Sequence, residues 1–192
     1  MIKVVILGPE STGKSTLSKM LAEHYQTLYC AEYAREYLMT NGKEYTYDDL
    51  LSIAKGQVAA EDAYTLQVQK LEAQDEGISA HQSILFVDTD MYVMKVWCEF
   101  VFGKCHPYIL EQLVTRKYDL YLLCNIDLPW EQDELREYPD LETRERLYSI
   151  YRELLINQSV PWVEISGNYS QRLEKAVEAV DKLILWVQKQ RY

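Results

Sequence analysis

Basic residues are in short supply: 20 Lys and Arg stand against 30 Asp and Glu, for a formal net charge of −10. Binding to duplex nucleic acid draws its affinity from cations that neutralise many phosphates. Nucleic acid is therefore excluded as the main partner, although a small phosphorylated ligand in a local positive pocket stays compatible. Cysteine is also sparse, with four residues, Cys30, Cys98, Cys105 and Cys124, and no CxxC pair. That rules out a disulfide framework and suits reduced core positions in a cytoplasmic protein. Cys98, Cys105 and His106 fall short of a structural zinc site, which needs four ligands at tighter spacing. No apolar run approaches the roughly 20 residues that span a bilayer. The N-terminal run, Ile2 to Leu7, is interrupted by Lys3 and leads straight into a polar loop. Neither a membrane span nor a signal peptide is expected. Phenylalanine is rare, 3 copies against 16 tyrosines. Tyr45, Tyr47, Tyr148 and Tyr151 sit at helical spacing and read as half-buried packing residues.

What is present first is enough chain for one domain of 1–192: 192 residues bury roughly 70% of the unfolded surface at this size. Five apolar runs read as strands: Ile2–Leu7, Leu28–Ala31, Ile84–Val87, Leu120–Cys124 and Trp162–Ile165. Helical patterning separates them, which predicts an α/β fold whose parallel sheet is covered on both faces and takes ligands at the strands' carboxyl ends. The spacing predicts helices from Lys14 to Gln26, Tyr47 to Gln74, Asp90 to Gly103 and about Ser170 to Gln190. The second of these opens with Thr46-x-x-Asp49, which resembles a capping box, and reads as a cover helix. Gly103 suits a helix C-terminal cap.

Seven glycines serve the whole chain, and two fall within Gly8-Pro9-Glu10-Ser11-Thr12-Gly13-Lys14-Ser15. This segment matches G-x-x-x-x-G-K-[ST] in full, between a strand pattern and a helix pattern. Glycines at 8 and 13 let the backbone turn toward a phosphate, so that successive N–H groups and the helix N-terminus converge on one anion. Lys14 is then placed to reach the β- and γ-phosphates and Ser15 to ligate Mg²⁺.

The run Ile84-Leu85-Phe86-Val87-Asp88 delivers a carboxylate at a strand end, where Asp88 would hold Mg²⁺ or its water. Asp90 points either from the same strand end or into the role of a helix N-cap, and the two are compatible. Glu32 and Arg35 follow the second strand. They read either as a carboxylate and an arginine facing the cleft, with Glu32 able to deprotonate an acceptor hydroxyl, or as a solvated i,i+3 pair. The segment from Asn125 to Arg152 carries Arg136, Arg144, Arg146 and Arg152. Arg136 lies in an irregular stretch suited to a lid that brings a guanidinium over the transferring group. Arg144 shares a face with Tyr148, Tyr151 and Leu155 and should point inward, whereas Arg146 should point outward toward Glu142 or Glu153.

Two further absences narrow the chemistry. The fourth strand ends Cys124-Asn125-Ile126-Asp127 instead of N-K-x-D, which argues against a GTPase. No H-x-G-H pattern surrounds His24, His81 or His106, so adenylyl transfer by that route has no support.

The whole set of motifs resembles the ribosylnicotinamide kinase group, the P-loop kinase domain of bacterial NAD-salvage proteins. The resemblance rests on GPESTGKST at 8–16, EYAREYL at 32–38, FVDTD at 86–90, GKCHPY at 103–108, PWEQDELR at 129–136 and SGNYSQRLEKAV at 166–177. It implies a P-loop nucleoside-kinase fold with a central five-stranded parallel sheet, helices on both faces and an Arg-bearing lid over about 126–140. It also implies MgATP as donor and phosphorylation of nicotinamide riboside at its 5′-hydroxyl to give nicotinamide mononucleotide. Carried onto this chain, Gly8, Glu10, Ser11, Thr12, Gly13, Lys14, Ser15 and Thr16 would bind the triphosphate. Ser15 and Asp88 would hold the metal, and Glu32 or Asp88 would act as general base. Arg136 would stabilise the transferring group, Glu32, Arg35, Asp90, Tyr92, Trp97 and Trp130 would hold the nucleoside, and Ser166, Gly167 and Asn168 would lie near the adenine. Glu134 stands where the family commonly has glycine before the lid leucine and arginine. The larger family members carry an adenylyltransferase domain and sometimes a DNA-binding domain, for which these 192 residues have no length. Alternatives are a kinase for another nucleoside or nucleotide, or a non-catalytic ATP-sensing module. A homo-oligomer is compatible with the chain.

Overall fold

The computed structural model describes residues 1–74 and 83–190; His81 lies outside them. Five strands, β1 (Ile2–Leu7), β2 (Leu28–Cys30), β3 (Ile84–Asp88), β4 (Leu120–Cys124) and β5 (Trp162–Ile165), form one sheet of order β2-β3-β1-β4-β5. All four pairings are parallel, with Val4 opposite Phe86 and Ile6 opposite Leu122 in the central register. Seven helices are described: α1 (Lys14–His24), α2 (Tyr33–Asn41), α3 (Tyr47–Gln74), α4 (Met91–Phe102), α5 (Pro107–Thr115), α6 (Leu141–Ile156) and α7 (Tyr169–Gln190).

Period-two alternation sorts the strand side chains onto two faces. Val4, Ile6, Ile84, Phe86, Leu120, Leu122 and Ile165 pack with Leu17 and Leu21 of α1 and with Ala176, Val180 and Ile184 of α7. Val5, Leu7, Leu85, Val87, Tyr121 and Leu123 pack instead with Val93 of α4 and with Leu147, Tyr151 and Leu155 of α6. Burying such aliphatic side chains contributes roughly 1.5–3 kcal/mol each. A third cluster joins α2, α3, α4 and α5 through Leu38, Leu50, Ile53, Met94 and Ile109.

The caps follow the sequence. Asp49 N–H donates to Thr46 Oγ1 at 3.3 Å while Asp49 Oδ2 accepts from Thr46 N–H at 2.8 Å, a reciprocal box that starts α3. Gly103 closes α4 in the left-handed region, at φ 67°. Helix α5 was not anticipated, although its signal was present: His106 stands at the cap and Pro107 at the first helical position, where a missing N–H costs nothing. Tyr45 lies ahead of α3, not on a helix. Arg146 does point outward, but its guanidinium lies 5.2 Å over the Phe100 ring and not against Glu142 or Glu153. No helix among the described residues is long and apolar enough to cross a membrane.

Candidate active site

The segments that follow β1 and β2, together with α4 and the stretch between β4 and α6, surround a cavity of about 400 Å³. One wall is the segment from Gly8 to Thr16, and Glu32, Arg35, Trp97 and Arg136 also line it. The loop's shape depends on Gly8: its φ is +142°, and a Cβ there would stand 2.7 Å from the Cys124 carbonyl oxygen on the neighbouring strand. Thr12 Oγ1 donates to the Pro9 carbonyl at 2.7 Å, and Lys14 Nζ folds back to donate to the same oxygen at 2.9 Å. Ser11 (φ 56°) and Thr89 (φ 76°) hold left-handed backbone without being glycine. Both flank the site, where such strain concentrates.

Asp88 ends β3 with 1% exposure, and neither carboxylate oxygen has hydrogen-bond geometry to a donor. Burial and the nearby Glu32 charge raise its pKa, while Lys14 and the Ser15 hydroxyl pull it partly back. A buried carboxylate with two unsatisfied oxygens beside a hydroxyl suits a hard cation taking oxygen ligands. Asp88 and Ser15 therefore fit Mg²⁺. Glu32 sits at the N-cap position of α2, yet its side chain caps nothing and faces the cavity. Arg35 does not pair with Glu32. It crosses to Asp133, with Nη1 donating to Oδ1 at 3.1 Å and Nη2 to Oδ2.

The segment between β4 and α6, where the sequence leads one to expect a lid, is docked on the phosphate loop. Glu10 accepts from the backbone N–H of Glu137 at 2.9 Å and from that of Tyr138. Ser11 Oγ accepts from Glu131 N–H and from Arg136 Nη1, both at 3.1 Å. Burial raises the Glu10 pKa, and the two backbone donors offset part of that shift. Arg144, 5% exposed, sits 5.5 Å from the Trp130 ring and donates to the Ile126 and Leu128 carbonyls, so it roots the lid. Trp130 packs against Arg136 and Arg144, not on the cavity wall among the described residues.

Asp90 is fully buried and caps α4, accepting from Tyr92 N–H at 3.0 Å and Val93 N–H at 3.4 Å. Its pKa is pushed up to about 7, chiefly by burial. Tyr92 packs edge-on against Tyr121. Neither belongs to the cavity lining, whereas Tyr45, Phe100 and Tyr138, which sequence reasoning missed as site residues, do. Trp97 Nε1 donates to Tyr45 Oη at 2.7 Å, and Tyr45 donates to Glu137 at 2.9 Å, which ties α4 to the lid. Ser166, Gly167 and Asn168 do not line the cavity: Ser166 Oγ is held by Lys175 at 2.7 Å and Asn168 exchanges hydrogen bonds with Gln171. Leu128 and Tyr169 do line the cavity, both beside Gly13. No signal in the sequence singled those two out.

A strand, a phosphate loop and a helix at the centre of a parallel five-stranded sheet define a P-loop domain. By sequence the chain belongs to the AAA_28 family, described as an AAA domain, which matches residues 3–172. It is 27% identical over 186 residues to the trifunctional NAD biosynthesis/regulator protein NadR of Escherichia coli (strain K12), covering 94% of this chain and 42% of that protein. The Salmonella typhimurium NadR matches to the same extent. The chain thus spans less than half the length of these curated relatives. Among solved structures, a NadR protein in complex with NR aligns with a TM-score of 0.71 at 24% identity, over 95% of this chain and 49% of that one. A thymidylate kinase from Ehrlichia chaffeensis aligns with a TM-score of 0.60 at 15% identity, over 95% and 98%. These likenesses establish the P-loop kinase fold.

Proposed function

We propose that the protein transfers the γ-phosphoryl group of MgATP to the 5′-hydroxyl of nicotinamide riboside, giving nicotinamide mononucleotide for NAD synthesis in the cytoplasm. The observation that carries this reading is one cavity that joins a phosphate loop to an uncommitted carboxylate and an aromatic wall: Lys14 and Glu32 with Tyr45, Trp97 and Phe100. Support comes from the NadR relatives, which are named for NAD biosynthesis and regulation and of which one is solved in complex with NR.

The loop amides and the N-terminus of α1 bind the triphosphate, and Lys14 leaves the Pro9 carbonyl to neutralise charge on the transferring group. Ser15 and Asp88 would hold Mg²⁺, which would supply neutralisation of charge on the phosphate oxygens. Glu32 accepts the proton of the attacking hydroxyl. It serves better than Asp88, which is buried off the cavity wall and committed to the metal. Arg136, already on Ser11, stands beside the loop to meet the charge that develops in transfer. A cationic pyridinium ring suits aromatic faces within an acidic pocket.

The test is ADP release from MgATP with a panel of nucleosides and nucleotides, with product masses recorded. Turnover with nicotinamide riboside well above the rest, abolished in a folded Lys14→Ala variant, is expected. Turnover on another acceptor keeps the mechanism and replaces the substrate. ATP binding without turnover on any acceptor converts the reading to an ATP-sensing module.

A further inference from the structure

Arg172 is the largest fully buried side chain described, at 1% exposure, and sits where the α7 pattern of Ala176, Val180 and Ile184 calls for an apolar residue. A guanidinium is kept there because each part of it is used. Nε donates to the Gly167 carbonyl at 2.7 Å, Nη1 to the Thr12 carbonyl at 2.9 Å, and Nη2 to the Asn125 carbonyl at 2.9 Å and to Asp127 Oδ1. The other oxygen of Asp127 accepts from Gly167 N–H at 2.6 Å. Three loops that are remote in sequence thus meet at one cation: the phosphate loop, the exit of β4 and the turn between β5 and α7. Leu128 and Tyr169 leave from the last two of these loops and stand beside Gly13 at the cavity wall.

From this geometry we infer that Arg172 is a positioning residue for the nucleotide. It fixes the phosphate loop at Thr12 and the Leu128 and Tyr169 platform in one register, so that triphosphate and base are held together. The planar fork is what the role requires. A lysine offers three donors from one point and cannot serve carbonyls on three sides of a plane. Asp127 supplies the counter-charge that makes the buried cation tolerable, and its two oxygens are spent on Arg172 and Gly167. The inference rests on the reading that the loop binds a nucleoside triphosphate.

Calorimetric titration of wild type, Arg172→Gln, Arg172→Lys and Asp127→Asn with MgATP and with magnesium tripolyphosphate, which has no base, tests it alongside steady-state kinetics. Arg172→Gln is expected to weaken both ligands by about tenfold or more, the scale of one or two lost charge-assisted hydrogen bonds. The KM for ATP should rise while that for the acceptor holds within about twofold. Arg172→Lys should recover only part of the loss. Asp127→Asn keeps the shape and loosens the base side, so MgATP should weaken more than tripolyphosphate; this variant carries the test should Arg172→Gln not fold. Folded variants that bind both ligands like wild type overturn the inference, as does an equal rise in both KM values. Wild type that binds neither ligand overturns the nucleotide reading and the inference with it.

Discussion

Two acidic side chains at adjacent strand ends, Glu32 and Asp88, compete for the role of base, and their surroundings separate them. Asp88 has 1% exposure and two unpartnered oxygens, whereas Glu32 is half-buried and opens on the cavity. The Glu32 charge raises the cost of ionising Asp88, and a cation at Asp88 would offset that cost. Glu32→Gln should then lower kcat by roughly 10²- to 10⁴-fold with little change in the KM for ATP. Near-normal kcat in that variant transfers the role to Asp88. Residue identities at this scale were largely legible, because phosphate chemistry demands particular types at particular spacing: Gly8, Lys14, Ser15 and Asp88 follow from motif and strand end alone. Partners were less so. The spacing of Glu32 and Arg35 suggested each other, but Arg35 answers Asp133, 98 positions away. Asp90 illustrates a further limit: its Oδ1 caps the first turn of α4 while its buried Oδ2 has no hydrogen-bond partner, and the sequence allowed the cap without distinguishing it from a ligand contact.

Among the elements, the lid shows how the variable positions of a phosphate loop acquire a task. Glu10 and Ser11 are free choices in G-x-x-x-x-G-K-[ST], and here they accept N–H groups from Glu131, Glu137 and Tyr138 and a guanidinium N–H from Arg136. Arg35–Asp133 and Lys43–Glu134 tether the same lid to α2 and the loop after it. The second of these pairs is solvent-exposed and contributes little. Glu10→Ala should therefore release the lid far more than Lys43→Ala does. Tryptic cleavage after Arg136 should speed up by about tenfold, since losing hydrogen bonds to a charged group costs roughly 1.5–3 kcal/mol and cleavage follows the open population. Equal cleavage rates in Glu10→Ala and wild type would mean that the latch does not hold the lid. Strand and helix spans were readable because apolar periodicity reports burial directly, as in β1, β4 and α3. The docking of 129–138 was not, since backbone N–H donors carry no side-chain signature in sequence.

Across the whole molecule, the order β2-β3-β1-β4-β5 places the loop after β1 at the centre, with Glu32 and Asp88 on one side and the β4 and β5 exits on the other. On the proposed function, the acceptor and donor halves meet at the phosphate loop, which both the segment between β4 and α6 and Arg172 contact. Such an arrangement couples nucleotide binding to the stability of the entire sheet, because a ligand that binds only the folded state adds RT ln(1 + [L]/Kd). At a hundredfold excess over Kd that is about 2.7 kcal/mol, which for a chain of this size raises Tm by roughly 5–11 °C. MgATP should produce a rise of that order in wild type. Chelating the metal with EDTA should remove most of it, because the buried carboxylate of Asp88 then faces the triphosphate without a cation between them. Asp88→Asn should behave in the opposite sense toward the chelator: removing the charge lessens the need for a cation, so its Tm with ATP should change little when EDTA is added. A Tm rise in wild type that is indifferent to EDTA would place the metal outside the reach of Asp88 and Ser15 and return those two residues to a purely structural account.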